Sequence, residues 1–322
     1  MTRNVIIDCD TGMDDAVALL LALRSPEFNV LGITCVNGNV GLGHVVNNTL
    51  RVVEHSGKDV PVYAGYSSTL MPSGEEDAAA VHGKDGLGGL PFPAPKKQVE
   101  KEHAVDFIIR TFMEAKEPMD WITLGPLTNA AMAIRREPRI AEKIRMLTMM
   151  AGGVHSGNTS VMSEFNVYFD PEAARIVFDN DIPKTMVPLD PLWSGGRLTE
   201  ENLAKLKAAA ADRPWCDMAS QIFSQTIEIM AELSRYLGNE ERYVSPPDLL
   251  AVAVAIDPSI AEIENHQVFV ETTGEYTRGM TVVDRRRFTH LAKNNPRKKI
   301  AIAMKANQQK YADLVLNTWL KN

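Results

Sequence analysis

The chain has 322 residues, 45% hydrophobic and 23% charged, a balance that excludes a disordered chain and allows a large buried core. Its formal charge of -7 excludes a general nucleic-acid surface, which needs Lys and Arg clustered on one face; Arg285-Arg286-Arg287 and Lys298-Lys299 read as solvated strand ends. Cys9, Cys35 and Cys216 show no CxxC spacing and cannot build a disulfide framework. With no signal-type apolar run after Met1-Thr2-Arg3-Asn4 and no membrane-length stretch, a cytoplasmic location without membrane contact is expected.

In chain order, β-rich runs alternate with segments of helical period: strand 5–7, helix 15–23, strand 30–36, helix 45–55. The alternation resumes with helix 103–115, strand 121–124, a helix from Leu127, strand 145–150, helix 171–178 and strand 184–189. It predicts an α/β fold: a single open, mostly parallel sheet flanked by helices, with a Rossmann-like core. The interruption from Tyr66 to Lys97 is rich in Gly, Pro and charge, the composition of a lid or binding loop. Beyond Leu198 a C-terminal helical portion is expected, with helices 200–211, 215–237 and 248–256, followed by strands 266–271 and 280–284. No low-complexity linker divides the chain, so one domain over 1–322 is expected.

Chemistry concentrates first in Asp8-Cys9-Asp10-Thr11-Gly12-Met13-Asp14-Asp15, where four carboxylates fall in eight residues between a strand and a helix. Gly12 is expected to supply the permissive backbone of the turn. Such crowding calls for a cation or tightly bound donors, and an oxygen-only ligand set suits Ca²⁺ or Mg²⁺ rather than zinc. Two other readings stand beside it. Asp14 and Asp15 sit well at a helix N-terminus while Asp8 orders the turn, and Asp-x-Asp after an apolar strand also resembles haloacid-dehalogenase-type phosphatases. In those enzymes, however, Gly precedes Thr, the reverse of Thr11-Gly12, and no later acidic pair completes a magnesium site here.

In open α/β sheets ligands bind beyond the carboxyl ends of the strands. There the chain carries Asn37-Gly38-Asn39, Gly125-Pro126-Leu127-Thr128-Asn129, Ala151-Gly152-Gly153, His155-Ser156-Gly157-Asn158 and Ser163-Glu164-Phe165-Asn166. Together these amides and carboxylates are the groups that hydrogen-bond vicinal sugar hydroxyls.

With His82-Gly83-Lys84-Asp85-Gly86-Leu87, Glu164-Phe165-Asn166-Val167, Asp170-Pro171-Glu172-Ala173-Ala174 and Thr281-Val282-Val283-Asp284, the chain resembles the inosine-uridine preferring nucleoside hydrolase family over nearly its whole length. The resemblance implies hydrolysis of the N-glycosidic bond of ribonucleosides by a homodimer or homotetramer. It implies Ca²⁺ held by Asp10, Asp15, Asp248 and the Leu124 carbonyl, with Asp10 activating water. Asp14, Asn39 and Asn166 would meet the ribose 2′- and 3′-hydroxyls, Asn158 and Glu164 the 5′ side, and Met150 would line the sugar pocket through its backbone. The chain departs from the family's pattern at Pro247, where the best-known members carry a His just before the last metal-binding Asp. Proline has no side-chain proton to give. Candidates for the leaving-group side are Tyr236, Tyr243, Arg242 and His82; the alternatives are substrates with good leaving groups, or a nucleoside-binding protein with weak or no hydrolase activity. Trp193 and Trp215 are the tryptophans that would stack on a base, although core packing is the commoner role of such residues.

Overall fold

The structure is a computed structural model that describes residues 2–71, 78–236, 242–286 and 298–321, with the side chains of 233–236 set aside. β1 (Arg3–Cys9) passes through the acidic loop into α1 (Met13–Arg24), followed by β2 (Phe28–Cys35), α2 (Leu42–Ser56) and β3 (Val62–Ala64). The one-turn helix α3 (Ala79–His82) precedes α4 (Ala104–Glu114), β4 (Met119–Thr123), α5 (Thr128–Arg136) and β5 (Ile144–Met150). Then come α6 (Phe165–Phe169), α7 (Pro171–Asp179), β6 (Lys184–Val187), α8 (Asp190–Trp193), β7 (Leu198–Thr199), α9 (Glu200–Ala209) and α10 (Pro214–Tyr236). The chain closes with β8 (Tyr243–Val244), α11 (Pro247–Ile256), β9 (Ala261–His266), β10 (Val268–Val270), β11 (Thr281–Val283), β12 (Ile300–Ala306) and α12 (Gln308–Lys321).

The eight-stranded sheet has the order β3-β2-β1-β4-β5-β6-β12-β9, parallel throughout except where β9 runs antiparallel to β12. From β1 the chain moves outward through β2 to β3, then returns to place β4 on the other side of β1. The β1/β4 junction is therefore a topological switch point, where the loops diverge and open a crevice above the strand ends.

The predicted alternation is the observed one, to within a few residues at element ends. The far C-terminal part differs from the expected helical portion with two strands. β10 and β11 pair as a separate antiparallel ribbon, Phe269 opposite Val282, whereas β9, β12 and α12 go beyond the expectation. β12 alternates Ile300-Ala301-Ile302-Ala303, and alanine's poor strand propensity hides the period. Arg287 lies outside the described residues. Among those described, no helix is long and apolar enough to cross a membrane.

Two largely buried helices position the site. α1 buries Ala16 through Leu23, and α11 buries Leu249 through Val254, the two packing on one another. Each fully buried Leu contributes about 1.5–3 kcal/mol. Both helices begin with carboxylates, Asp14 and Asp15 on α1 and Asp248 on α11, so the core packing that fixes the helices also brings their acidic first turns together.

Candidate active site

Asp8 and Asp10 leave β1 on different errands. Asp8 is fully buried in the sheet, its Oδ1 accepting from the Thr34 hydroxyl and from Asn129 Nδ2 at 2.8 Å, while Oδ2 has no partner. Burial pushes its carboxyl up to about 7 despite those two donors. A side chain so enclosed is a poor phosphoryl acceptor, which removes the geometric basis of the phosphatase reading. Asn129 is spent on the same scaffold, since it also donates to the Cys35 carbonyl at 3.0 Å and accepts from the Tyr66 N–H. This amide from the strand-end set supports the loops rather than facing a sugar.

Asp10 is cradled by glycines. Its Oδ2 accepts from the Asn39 N–H at 2.7 Å. A Cβ added to Gly125 would lie 2.5 Å from Oδ1, and one added to Gly38 would come closer still to Oδ2. Only hydrogen at these positions lets two loops close on the carboxylate. Gly12 owes its place to space rather than to backbone freedom: its φ of -94° suits any residue, but a Cβ there would come within 2.7 Å of His82 Nδ1 and 2.9 Å of Asn39 Nδ2.

Asp15 is bound from several sides. Its Oδ1 accepts from the Asp10 N–H at 3.2 Å, and its Oδ2 accepts from the Gly12 N–H at 2.9 Å and from Asn39 Nδ2 at 3.0 Å. Burial, reinforced by the nearby Asp14, raises its carboxyl to about 7. Asp10 and Asp248 are pushed up in the same way, first by burial and then by one another's acidic neighbours. Among the described residues, Asp14, Asp15 and Asp248 each offer an oxygen within 4.8 Å of the others. Asp14 Oδ1 is buried and has no hydrogen-bond partner. Asp14, which the resemblance assigns to the ribose, thus stands with two of the expected metal ligands, while Asp10 is outside that triplet. An oxygen-only donor set, largely buried and with the Asp14 Oδ1 left unpartnered, is what a hard divalent cation requires, so the residues fit one.

Above these groups opens a cavity of about 690 Å³. Asp14, Asn39, Leu124, Met150, Asn158, Glu164, Asn166 and Asp248 line it, which brings together every ribose-side residue expected from the sequence. Asp10 and Asp15 are buried behind that lining. Asn166 Nδ2 donates to the Leu124 carbonyl at 2.6 Å and to the Met150 carbonyl at 3.1 Å, tying the ends of β4 and β5 to α6. Glu164 caps α6: Oε1 accepts from Asn166 N–H at 2.7 Å, and Oε2 from the N–H groups of Gly152 at 2.7 Å and Val167 at 3.3 Å. Burial still raises its carboxyl to about 7. Asn158 Oδ1 accepts from Phe165 N–H at 3.0 Å.

The leaving-group side adjoins this space as a narrower cavity of about 180 Å³, sharing Asp14, His82, Trp193 and Pro247 with the first. Its walls are largely apolar, with Phe223, Met230 and Val81 prominent. Sequence reasoning missed these three; Val81 and Met230 are apolar side chains, 52% and 40% exposed, that α3 and α10 leave uncovered. Of the candidate donors, His82 arrives on α3 with Nδ1 accepting from the Met13 N–H at 3.1 Å and 3.7 Å from Asp14. The loop after it is held by Asn48, which donates to the carbonyls of Asp85 at 2.7 Å and Thr11 at 3.2 Å, and by Gly86 and Gly88 at φ +82° and +67°. Tyr243 also lines the narrow cavity. Arg242 does not: it is committed to ion pairs with Glu200 at 2.8 Å and Glu228 at 2.5 Å. The Tyr236 side chain lies outside the described residues. Trp193 stands 64% exposed at the cavity mouth, whereas Trp215 donates to the Trp319 carbonyl at 3.0 Å under the Arg24 guanidinium, a packing role.

Fold and site together define an α/β enzyme with a buried acidic centre at the switch point of a parallel sheet. Residues 5–313 match the family model described as inosine-uridine preferring nucleoside hydrolase. The chain is 37% identical to the inosine-uridine preferring nucleoside hydrolase of Leishmania major, over 94% of each chain. It is 33% identical to a pyrimidine-specific ribonucleoside hydrolase of Photobacterium profundum, over 98% of each. The solved purine-preferring ribonucleoside hydrolase from Gardnerella vaginalis superposes with a TM-score of 0.87 at 30% identity, covering 98% of each chain. The chain belongs to the inosine-uridine preferring nucleoside hydrolase family and is a ribonucleoside hydrolase.

Proposed function

We propose that the chain hydrolyses the N-glycosidic bond of ribonucleosides to ribose and free base with the aid of Ca²⁺, the water being activated by Asp10. The observation that carries this reading is the triplet Asp14, Asp15 and Asp248, the last two buried, beside the glycine-cradled Asp10 and beneath an amide-lined cavity. Asp10, Asp15, Asp248 and the Leu124 carbonyl would hold the ion, with Asp14 next to them. The chemistry a bound Ca²⁺ supplies is Lewis acidity toward a water and toward the ribose 2′- and 3′-hydroxyls.

The chain's own residues do the rest. Asp10, positioned by the Asn39 N–H and the two glycines, accepts the proton of the attacking water. Asp14, Asn39 and Asn166 orient the 2′- and 3′-hydroxyls, and Asn158 and Glu164 face the 5′ side. Met150 contributes its backbone. As the C1′–N bond breaks, the sugar becomes oxocarbenium-like, a cation suited to the acidic floor. With this reading go one domain over 1–322, a cytoplasmic location and a homodimeric or homotetrameric state, the last checked by light scattering.

Pro247 in the cavity wall favours one second reading, a nucleoside-binding protein with weak or no hydrolysis. A reducing-sugar assay with inosine, uridine, adenosine and cytidine separates the two. Ribose release that EDTA abolishes and Ca²⁺ restores is the outcome expected of the hydrolase; tight nucleoside binding without ribose release contradicts it.

A further inference from the structure

We propose that the preferred substrates of this site are ribosides whose aglycone is a permanently cationic heteroaromatic ring of the pyridinium type. This narrows the substrate class of the hydrolase reading and rests on it.

The argument starts from the leaving group. A neutral purine or pyrimidine takes the electron pair of the breaking C1′–N bond and departs as an anion unless a positioned acid protonates it. A pyridinium nitrogen takes the same pair and departs neutral. Water then forms the new C1′–O bond, Asp10 takes the water's proton and passes it to solvent, and the products are ribose, a neutral pyridine and that proton. No proton is needed on the base side.

The narrow cavity is built to that pattern. Pro247 fills the wall at the start of α11 with a side chain that cannot donate. The Ser245 hydroxyl donates to the Gly196 carbonyl at 2.6 Å, and the Thr226 hydroxyl to the Ile222 carbonyl at 2.9 Å, so both are spent within the protein. His82 Nδ1 accepts from the Met13 N–H, so this ring nitrogen is spent within the protein and carries no proton for the base. The Tyr243 ring is covered by Arg197 at 4.2 Å.

The same cavity welcomes a positive ring. Its described lining contains no Lys or Arg and includes Asp14, whose Oδ1 is buried and unpartnered. Trp193, at 64% exposure, offers an uncovered indole at the junction with the ribose cavity. A cation on an indole face strengthens binding about two- to thirtyfold.

The test uses the full-length Ca²⁺-loaded enzyme with nicotinamide riboside, uridine and inosine as probes, ribose release being measured for each. We expect kcat/KM for nicotinamide riboside at least about 100-fold above the other two, matching one positioned acid left out. Trp193→Ala should raise KM for nicotinamide riboside by a factor of about two to thirty. Pro247→His, which puts an imidazole into the same wall, should narrow the preference at least tenfold by raising turnover of inosine and uridine. Wild-type turnover of uridine or inosine equal to that of nicotinamide riboside overturns the substrate class and leaves the hydrolase reading intact. A Pro247→His enzyme that changes all three rates equally overturns the leaving-group argument. Ribose released from none of the three removes the hydrolase reading, and this inference with it.

Discussion

Replacing Asp8 with Asn isolates one buried charge from the rest of the acidic centre. In the folded chain burial holds the Asp8 carboxyl at about 7 against an ordinary 3.8, a difference worth about 4 kcal/mol. The sign follows from which state keeps the proton. Between pH 3.8 and about 7 the folded chain retains a proton that the unfolded chain has lost, so this stabilisation is complete below 3.8 and disappears as pH rises through 7. Of the total, about 3 kcal/mol falls between pH 5 and pH 8. Asp8→Asn keeps an oxygen for Thr34 and Asn129 and does not titrate. Its amide nitrogen would take the place of the unpartnered Oδ2, near Thr123, the β4 residue in register with Asp8, whose hydroxyl also lacks a partner. The variant should therefore gain about 3 kcal/mol on the wild type between pH 5 and pH 8, whatever the fixed offset of the substitution. Urea unfolding at several pH values measures this. A difference between variant and wild type that stays constant within about 0.5 kcal/mol from pH 5 to pH 8 would refute the assignment.

Gly125→Ala puts a methyl 2.5 Å from Asp10 Oδ1, so kcat should fall about 100-fold while Tm moves by only a few degrees; unchanged turnover would show that the carboxylate's position is not tightly held. Asp248→Asn removes one carboxylate of the triplet, and titration with Tb³⁺ as a luminescent surrogate should show metal affinity lowered by at least about tenfold. Glu164→Gln sets an amide against the N–H groups of Gly152 and Val167, at a cost of about 1–3 kcal/mol that chemical denaturation should register. Asn166→Ala leaves the Leu124 and Met150 carbonyls without their shared donor, and kcat/KM for any ribonucleoside should drop about 10- to 100-fold, a change visible in initial rates.

The sequence displayed the parallel half of the fold because each β-run and each helical period there is bounded by its own turn, and the loop chemistry at the strand ends marked the ribose side. Val81, Phe223 and Met230 escaped notice because an apolar residue lining a cavity carries the same periodic signature as one in the core. Local reasoning also misassigned motive. Asn129 looked like a sugar ligand and serves Asp8; Glu164 is a helix cap as well as a cavity residue; Gly12 is small for the sake of His82 and Asn39. These distinctions depend on which side chains meet across loops far apart in the chain. α12 illustrates the opposite case, since Tyr311, Val315 and Trp319 already show helical spacing that the tertiary structure merely buries.

The central claim is that Asp10 takes the proton of the water that attacks C1′, and single-turnover ribose release by Asp10→Ala measures it most directly. Loaded with Ca²⁺ and saturated with its best ribonucleoside, the variant should bind substrate yet release ribose at least about 1,000-fold more slowly than the wild type. Release at a rate near that of the wild type would contradict the account.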